Sequence, residues 1–163
     1  MINPGRDAKI ADSVPELLRV AELLGGAKVL RQTPKHRLEA HEMILRGLPG
    51  KALTHLVGHL VVLQKTSDLE KAVGMSLRTV QRHKSKQSPK QSLSSEQSGR
   101  TWKLAEILAR ATEVFGSQTE AEHWLDKPAM GLDQRRPIEL LATPAGVELV
   151  EEFLGRLEYG VYG

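Results

Sequence analysis

SDLEKAVGMSLRTVQRHKSK, residues 67–86, has the pattern of two short helices joined by a tight turn. Ser67 and Glu70 have the spacing of a capping box, which predicts that the first helix starts there. Gly74 supplies the backbone freedom that a sharp turn needs. Ser76 can then cap the second helix through its hydroxyl group. The stretch therefore predicts a helix-turn-helix motif, around which the rest of the chain is arranged.

The second of these helices has a polar face that suits DNA. Arg and Gln are the residues that make bidentate contacts to guanine and adenine, and the second helix of this motif enters the major groove. From Ser76 to Lys90 there are five basic residues and no acidic one, as expected of a surface that faces phosphates. The alternative is an αα-corner that binds no DNA. The predicted DNA-binding residues are Ser76, Arg78, Gln81, Arg82, Lys84, Ser85 and Lys86.

The composition predicts a helical, soluble protein. Of the 163 residues, 40% are hydrophobic but only 4% are aromatic, and no strand-like alternation persists along the chain. Cysteine is absent, which excludes disulfide scaffolds and thiolate zinc sites and fits a reducing cytosol. No apolar run approaches the ~20 residues of a membrane span, and the N-terminus lacks an apolar signal core. We therefore expect a cytoplasmic protein with no membrane partner.

The charge of the chain is unevenly distributed. Residues 1–94 hold 16 basic and 8 acidic side chains, whereas residues 95–163 hold 7 and 12, within a formal net charge of +3. A basic front half and an acidic back half indicate two partners of opposite character, of which nucleic acid suits the first.

Caps, glycines and prolines predict the remaining helices. Ahead of the motif, helices are expected from the capping pair Ser13 and Glu16 to Gly25, from Thr33-Pro34 to about Arg46, and over about residues 49–64. Behind it, residues 86–98 are rich in Ser, Gln and Lys, which is the composition of a linker. The later helices are expected at Ser95–Phe115 after the capping box of Ser94 and Gln97, at Gln118–Leu125 with Trp124 buried, at residues 137–142 and at residues 144–159.

These signals divide the chain into a flexible N-terminus (1–12), a helix-turn-helix DNA-binding domain (13–86), a linker (87–94) and a small helical domain (95–163). In the last helix, apolar residues repeat at steps of three and four, a seam suited to packing on the domain or on a partner subunit. A domain of about 70 residues has difficulty covering so much apolar surface, so we expect a homodimer. The predicted dimerisation residues are Leu104, Ile107, Leu108, Val150 and Leu154.

Catalytic and metal-binding patterns are weak in this sequence. His55 and His59 lie four residues apart, as two metal ligands on a helix would, but the sequence offers no third ligand. Solvated or core histidines are the better interpretation. No nucleophile–base pair or pair of carboxylates stands out. We therefore expect no metal, no cofactor and no enzymatic activity.

Residues 104–163 resemble the toxin-binding domain of Xre/MbcA/ParS-type antitoxins. The segments that carry the resemblance are the helix ending near Phe115-Gly116, AEHWL at 121–125, RPIELL at 136–141, TPAG at 143–146 and GRLEYGVY at 155–162. The match covers about residues 95–163, and the helix-turn-helix in front of it is Xre-like. This chain has Asp133-Gln134-Arg135 where family members commonly carry Gly-Gly or Gly-Asn before the Arg-Pro step.

The resemblance implies an all-α antitoxin of a type II toxin–antitoxin system: an N-terminal Xre-like helix-turn-helix bundle followed by a small helical toxin-binding and dimerisation domain. Such proteins form homodimers, bind a RES-domain toxin that breaks down NAD, and repress their own operon by binding operator DNA. In relatives, the C-terminal segment plugs the entrance to the toxin's active site. The alternative is a stand-alone helix-turn-helix repressor controlled by a small ligand. The toxin-binding residues implied are Arg136, Glu158, Tyr159, Gly160, Val161, Tyr162 and Gly163.

Overall fold

The computed structural model describes residues 14–65, 67–84 and 92–160, with all of their side chains except those of residues 14, 65, 77, 83 and 84. These residues are mostly helical, which confirms the predicted all-α fold. Two short 3₁₀ turns, Leu63–Lys65 and Met130–Leu132, interrupt the helical order. The α-helices of the described ranges are α1 (Val14–Leu23), α2 (Gly26–Leu30), α3 (Arg37–Arg46), α4 (Gly50–Gly58), α5 (Asp68–Val73), α6 (Leu77–Lys84), α7 (Ser95–Phe115), α8 (Gln118–Leu125), α9 (Pro137–Leu140) and α10 (Pro144–Glu158).

The long helix α7 is the centre of the fold. It begins with the predicted capping box, in which the Ser94 hydroxyl accepts from the Gln97 amide and the Gln97 side chain accepts from the Ser94 amide. Gly116, in the left-handed region with φ 91°, ends the helix. Its apolar residues are buried on several sides, because α1, α3, α5, α8 and α10 all pack against it. The helix therefore joins the two halves of the chain in one hydrophobic core.

In the N-terminal half, the helices exist as predicted but two of their bounds are wrong. Thr33-Pro34 does not start α3; the helix begins after His36, whose ring nitrogen Nδ1 accepts from the Glu39 amide at 3.3 Å. The predicted helix over residues 49–64 ends at Gly58, and the chain then forms a separate 3₁₀ turn. The short helix α2 follows the predicted helix end at Gly25, and the spacing of apolar residues did not predict it.

In the C-terminal half, local caps set the helices where they were predicted. The Ser117 hydroxyl accepts from the Glu120 amide at the start of α8, and the Thr143 hydroxyl accepts from the Gly146 amide at the start of α10. Gly146 also lies directly against the Leu140 carbonyl oxygen, with which an added Cβ would clash. The TPAG turn therefore needs a glycine at its fourth position because α9 and α10 cross there with no room for a side chain.

The five predicted dimerisation residues lie inside this chain. Leu104 is 2% exposed, and the side chains of the other four are fully buried in the core that α7 and α10 share. They are Ile107, Leu108, Val150 and Leu154. The three–four spacing correctly indicated a buried face, but the face is covered by the chain's own helices. A homodimer would have to use other residues.

The loop before α9 contains backbone positions that favour glycine. Asp133 and Gln134 have φ of 54° and 61°, in the left-handed region that ordinary side chains rarely adopt. The tight hairpin that requires them is closed by the Gln134 amide donating to the Ala129 carbonyl at 3.0 Å and by pairing between Ala129 and Arg135. The glycines common at this step in the family that the sequence resembles suit this conformation.

Replacing Gln134 by Gly should therefore stabilise the protein. Relief of the left-handed strain is worth about 1–2 kcal/mol and exceeds the extra chain entropy of glycine, about 0.5–1 kcal/mol, so we expect a net gain of roughly 0.5–1 kcal/mol in the free energy of unfolding. Urea denaturation measures it. The matched control is Lys127→Gly, at a position without positive φ, which should lose stability instead. Equal or lower stability of Gln134→Gly would contradict the strain.

Within the described ranges, no helix is long and apolar enough to cross a membrane.

Candidate functional site

The helix-turn-helix forms where residues 67–86 predicted it. Helices α5 and α6 are joined at Gly74, which has φ 72° and donates its amide to the Glu70 carbonyl at 2.9 Å. The Ser76 hydroxyl accepts from the Thr79 amide at 3.1 Å and so caps α6 as predicted. The capping box at Ser67 is wrong, because this residue has a helical backbone and its side chain makes no cap hydrogen bond.

The motif buries one face and exposes the other. Leu69, Val73 and Val80 are at most 5% exposed, and α6 packs against α4. Ser76, Arg78, Gln81 and Arg82 are all exposed, so their side chains lie on the solvent side of the motif. The side chain of Lys84 and the whole of Ser85 and Lys86 lie outside the described residues. The exposed set can offer guanidinium and amide groups to a base edge or a phosphate, as the second helix of such motifs does.

An arginine from the C-terminal half holds the first helix of the motif in place. Arg136 donates to Asp68, a carboxylate at the start of α5 that is only 5% exposed. The same guanidinium donates to Asp126 and Glu139, each at 2.9 Å. The hydrogen bond to Glu139, followed by that to Asp68, raises the pKa of Arg136. Arg136, predicted as a toxin-binding residue, is thus engaged by three carboxylates within the chain and links α5 to α8 and α9.

A buried carboxylate forms a second link, which the sequence reasoning missed. Glu122 of α8 is fully buried and accepts hydrogen bonds from three consecutive backbone amides that precede and begin the 3₁₀ turn. These amides belong to Val61, Val62 and Leu63, at 2.9–3.1 Å from its oxygens. Gln118 donates to Glu122 at 3.0 Å and to the His59 carbonyl at 2.9 Å. The loop that leads into the helix-turn-helix is therefore fixed by α8.

The C-terminal segment leaves the fold at the end of α10. Tyr159 is 83% exposed, and Gly160 follows with φ 62°. Glu158 is held against α7 by Arg110, whose Nε and Nη2 donate to the two carboxylate oxygens at 3.3 Å. Burial lowers the pKa of Arg110, but the hydrogen bond to Glu158 and the attraction of Glu158, Glu16 and Glu151 together outweigh burial and leave the pKa raised. Val161, Tyr162 and Gly163, the other predicted toxin-binding residues, lie outside the described residues.

The Arg110–Glu158 pair borders a charged cleft of about 900 Å³ between α1, α3, α7 and α10. Both acidic and basic side chains line the cleft, among them Glu16, Arg37 and Lys103. Burial raises the pKa of Glu16, and the nearby Glu106 raises it further, although Arg37 opposes them. Lys103 donates to Glu106 at 2.9 Å and to Glu151 at 2.7 Å. Because its charges are largely paired with each other, the cleft does not favour a ligand of either sign.

Three aromatic rings form a partly exposed ledge on the C-terminal half. Trp124 lies 5.2 Å from Phe115 and 5.7 Å from Phe153, between ring centroids, and the Arg156 guanidinium lies 5.9 Å from the Phe153 centroid. Trp124 was predicted to be buried but is only half-buried. The Trp124 ring lies at the boundary between the core and the surface, where α8 and α10 meet.

The rings of His55, in α4, and His59, which directly follows α4, stack on each other and line a cavity of about 390 Å³. Their ring centroids are 4.1 Å apart. Nδ1 of His55 lies 3.1 Å from the Leu23 carbonyl, and Nδ1 of His59 lies 2.8 Å from the His55 carbonyl. Among the described residues, no group of three or more potential ligands is arranged to hold a metal ion.

The fold and the exposed face of α6 define the class of the protein. It is a helix-turn-helix DNA-binding protein whose motif is held in place by a C-terminal helical half. Comparison with known families agrees in both halves. Residues 39–106 match the family model of the antitoxin Xre-like helix-turn-helix domain. Residues 110–160 match the model of the antitoxin Xre/MbcA/ParS C-terminal toxin-binding domain.

Individual relatives carry the name antitoxin Xre, and two of them match most of the chain. The chain is 31% identical over 151 residues to an antitoxin Xre of Pseudomonas putida, covering 84% of this chain and 92% of the relative. It is 23% identical over 145 residues to an antitoxin Xre of Photorhabdus laumondii, covering 79% and 96%. An antitoxin Xre of Yersinia enterocolitica matches 68 residues at 35% identity, covering 41% and 46%. The chain belongs to the Xre/MbcA/ParS family of antitoxins and is an antitoxin of a toxin–antitoxin system.

Proposed function

We propose that this antitoxin neutralises a RES-domain toxin that degrades NAD, by placing its C-terminal segment in the entrance of the toxin's active site. Family membership supports a toxin partner. The observation that carries the finer proposal is Tyr159, a large aromatic side chain left 83% exposed where α10 ends and the segment begins. Tyrosine is one of the residues that most often anchor protein interfaces.

The charge of the segment suits such a pocket. An enzyme that binds NAD has to neutralise a pyrophosphate, and arginine is the natural partner of phosphate oxygens. Glu158 can meet that arginine, while Tyr159 or Tyr162 stacks where a ring of NAD would lie. Glu158 is engaged by Arg110 in the free chain, at 3.3 Å, so binding through Glu158 would exchange one guanidinium partner for another.

We propose further that the antitoxin represses its own operon through α6. Arg78, Gln81 and Arg82 read base edges in this proposal, and Ser76, Lys84, Ser85 and Lys86 contact phosphates. Two recognition helices would fit a palindromic operator if the antitoxin is a homodimer. The dimer contact then has to come from exposed residues, because the five apolar residues that the sequence suggested are covered by the chain itself. The protein acts in both roles by binding and not by catalysis.

The double substitution Arg78→Ala/Arg82→Ala tests the DNA half of the proposal. If each arginine reads a base, operator affinity should fall by about 1–3 kcal/mol per residue, and discrimination at one base pair should relax with each. Fluorescence anisotropy measures this with a labelled duplex from the region upstream of the antitoxin's own gene, at fixed salt. The variant should still co-purify with the toxin.

The control is Lys127→Ala/Arg135→Ala, which removes the same charge from the C-terminal half. It should bind the operator duplex almost as tightly as the unchanged protein. Unchanged operator affinity in the Arg78/Arg82 variant would show that α6 does not read DNA.

A further inference from the structure

A second basic surface lies outside the recognition helix. Residues of α2, α3 and the start of α4 line a cleft of about 530 Å³, together with Ser92. Four of the lining side chains are cationic and exposed: Lys28, Arg31, Arg46 and Lys51. No acidic residue is among the described residues that line it. The four come from stretches up to 23 positions apart in the sequence, so the fold and not one basic run brings them together.

The lack of acidic residues distinguishes this cleft from the charged cleft beside Arg110 and Glu158. Elsewhere, Arg19, Arg37, Lys103, Arg110 and Arg136 each form an ion pair with a carboxylate. None of the four cleft cations has such a pair with a described carboxylate. An array of unneutralised cations in a concave surface raises the local potential and attracts anions.

The backbone at one of these cations is also unusual. Arg31 has φ 67°, in the left-handed region, and its amide donates to the Ala27 carbonyl at 2.9 Å to end α2. Glycine or asparagine is the usual residue at such a helix end. An arginine there keeps a long cationic side chain at the rim of the cleft despite the less favourable backbone.

The cleft is close in the fold to the recognition helix. Lys51 lies in the first turn of α4, and α4 is the helix on which α6 packs. Ser92, eight residues after the end of α6, pairs with Pro49 and lines the cleft. A duplex lying on α6 would therefore extend its backbone towards this side of the molecule.

We propose that the cleft of Lys28, Arg31, Arg46 and Lys51 binds the phosphate backbone of DNA that flanks the base pairs read by α6. The contact is independent of sequence and adds affinity and salt dependence to operator binding. It rests on the proposed function, because α6 has to place the duplex. Its ligand is duplex phosphate and not an acidic protein surface.

The test is the triple variant Lys28→Gln/Arg46→Gln/Lys51→Gln, which keeps Arg31 and its backbone. Anisotropy is measured from low to moderate salt with two long duplexes, one from the antitoxin's own upstream region and one unrelated. Loss of three phosphate contacts should flatten the slope of log K against log salt by about 2–3 and weaken binding roughly 10- to 100-fold at 0.1 M salt. Both duplexes should be affected equally.

The matched control is Lys127→Gln/Arg135→Gln/Arg156→Gln, which removes three exposed charges far from the cleft in sequence and should leave the slope nearly unchanged. A cleft variant with the control's slope overturns the proposal, and so does one that loses toxin binding while keeping DNA. The proposal would also be overturned if the antitoxin bound inorganic phosphate equally well with and without duplex, because the cleft would then be a site for a small anion. Failure of the proposed base reading by α6 gives a different result. In that case, Arg78→Ala/Arg82→Ala would leave the preference between the two duplexes unchanged.

Discussion

Replacing Glu122 by Ala is expected to lower the free energy of unfolding by about 3–5 kcal/mol. The side chain is fully buried and accepts from the amides of Val61, Val62 and Leu63 at 2.9–3.1 Å. Hydrogen bonds to a charged group are worth about 1.5–3 kcal/mol each, and buried amides left without a partner each cost about 1–3 kcal/mol. Partial rehydration of the loop keeps the sum below the total of these values.

The same substitution should loosen the approach to the helix-turn-helix. The three amides follow α4 and lie just before and at the start of the 3₁₀ turn, only a few residues before α5. Without the carboxylate, residues 59–63 lose their anchor on α8, and hydrogen exchange of their amides should become faster than that of α7. Denaturation by urea, followed by circular dichroism, measures the stability, and hydrogen exchange measures the local effect.

Two other substitutions make this prediction specific. Glu120→Ala removes an exposed carboxylate two residues away on the same helix and should change stability by no more than about 0.5 kcal/mol. Glu122→Gln keeps one acceptor oxygen for the amides and should lose less than Glu122→Ala. If Glu122→Ala unfolds at the same urea concentration as Glu120→Ala, solvent satisfies the loop amides and the link between α8 and this loop is unimportant.

The part of the fold that could be predicted lies where a short stretch contains both the signal and its partner. The caps at Ser94, Ser117 and Thr143 each satisfy an amide three residues further on, so the sequence alone contains the whole interaction. The turn at Gly74 is equally local. The exposed face of α6 could be predicted as well, since the helical period alone decides which residues point away from Val80.

The part that could not be predicted depends on partners about 60 residues away. The helix over residues 49–64 was predicted too long because no residue near it in the sequence indicates that Glu122 accepts hydrogen bonds from the amides at its end. Arg136 likewise finds Asp68 across 68 positions. The apolar seam of α10 shows the same limit: its spacing indicates that Val150 and Leu154 are buried, but not that α7 of the same chain covers them.

Removing residues 159–163 is expected to restore the toxin's activity while leaving the antitoxin folded and able to bind DNA. The truncation deletes the exposed Tyr159 and Gly160 together with the last three residues, and it leaves α10 intact. Loss of an aromatic anchor from an interface typically costs 2 kcal/mol or more, roughly a 30-fold loss of affinity. If the segment fills the toxin's pocket as we propose, its removal should let NAD enter even when the rest of the interface still holds the two proteins together.

A second truncation, removing residues 158–163, separates the part played by Glu158. It also deletes the partner of Arg110, so a partly buried guanidinium on α7 loses its two hydrogen bonds at 3.3 Å. Stability should fall only in this longer truncation, and operator affinity should stay near that of the intact chain in both. The readout is NAD consumption by purified toxin with an equimolar amount of each antitoxin, beside anisotropy on the operator duplex.

The pattern of the two truncations decides between an occupied pocket and a contact elsewhere. If the segment fills the active site, both truncations restore most of the toxin's NAD consumption, although both still co-purify with it. If only the longer truncation restores NAD consumption, the inhibition depends on Glu158 and not on Tyr159. Glu158 would then act either by contacting the toxin or by holding the end of α10. If both truncations still protect NAD fully, inhibition lies on another surface of the C-terminal half. The aromatic ledge of Phe115, Trp124 and Phe153 is then the next to substitute, because its rings are only partly covered by the chain.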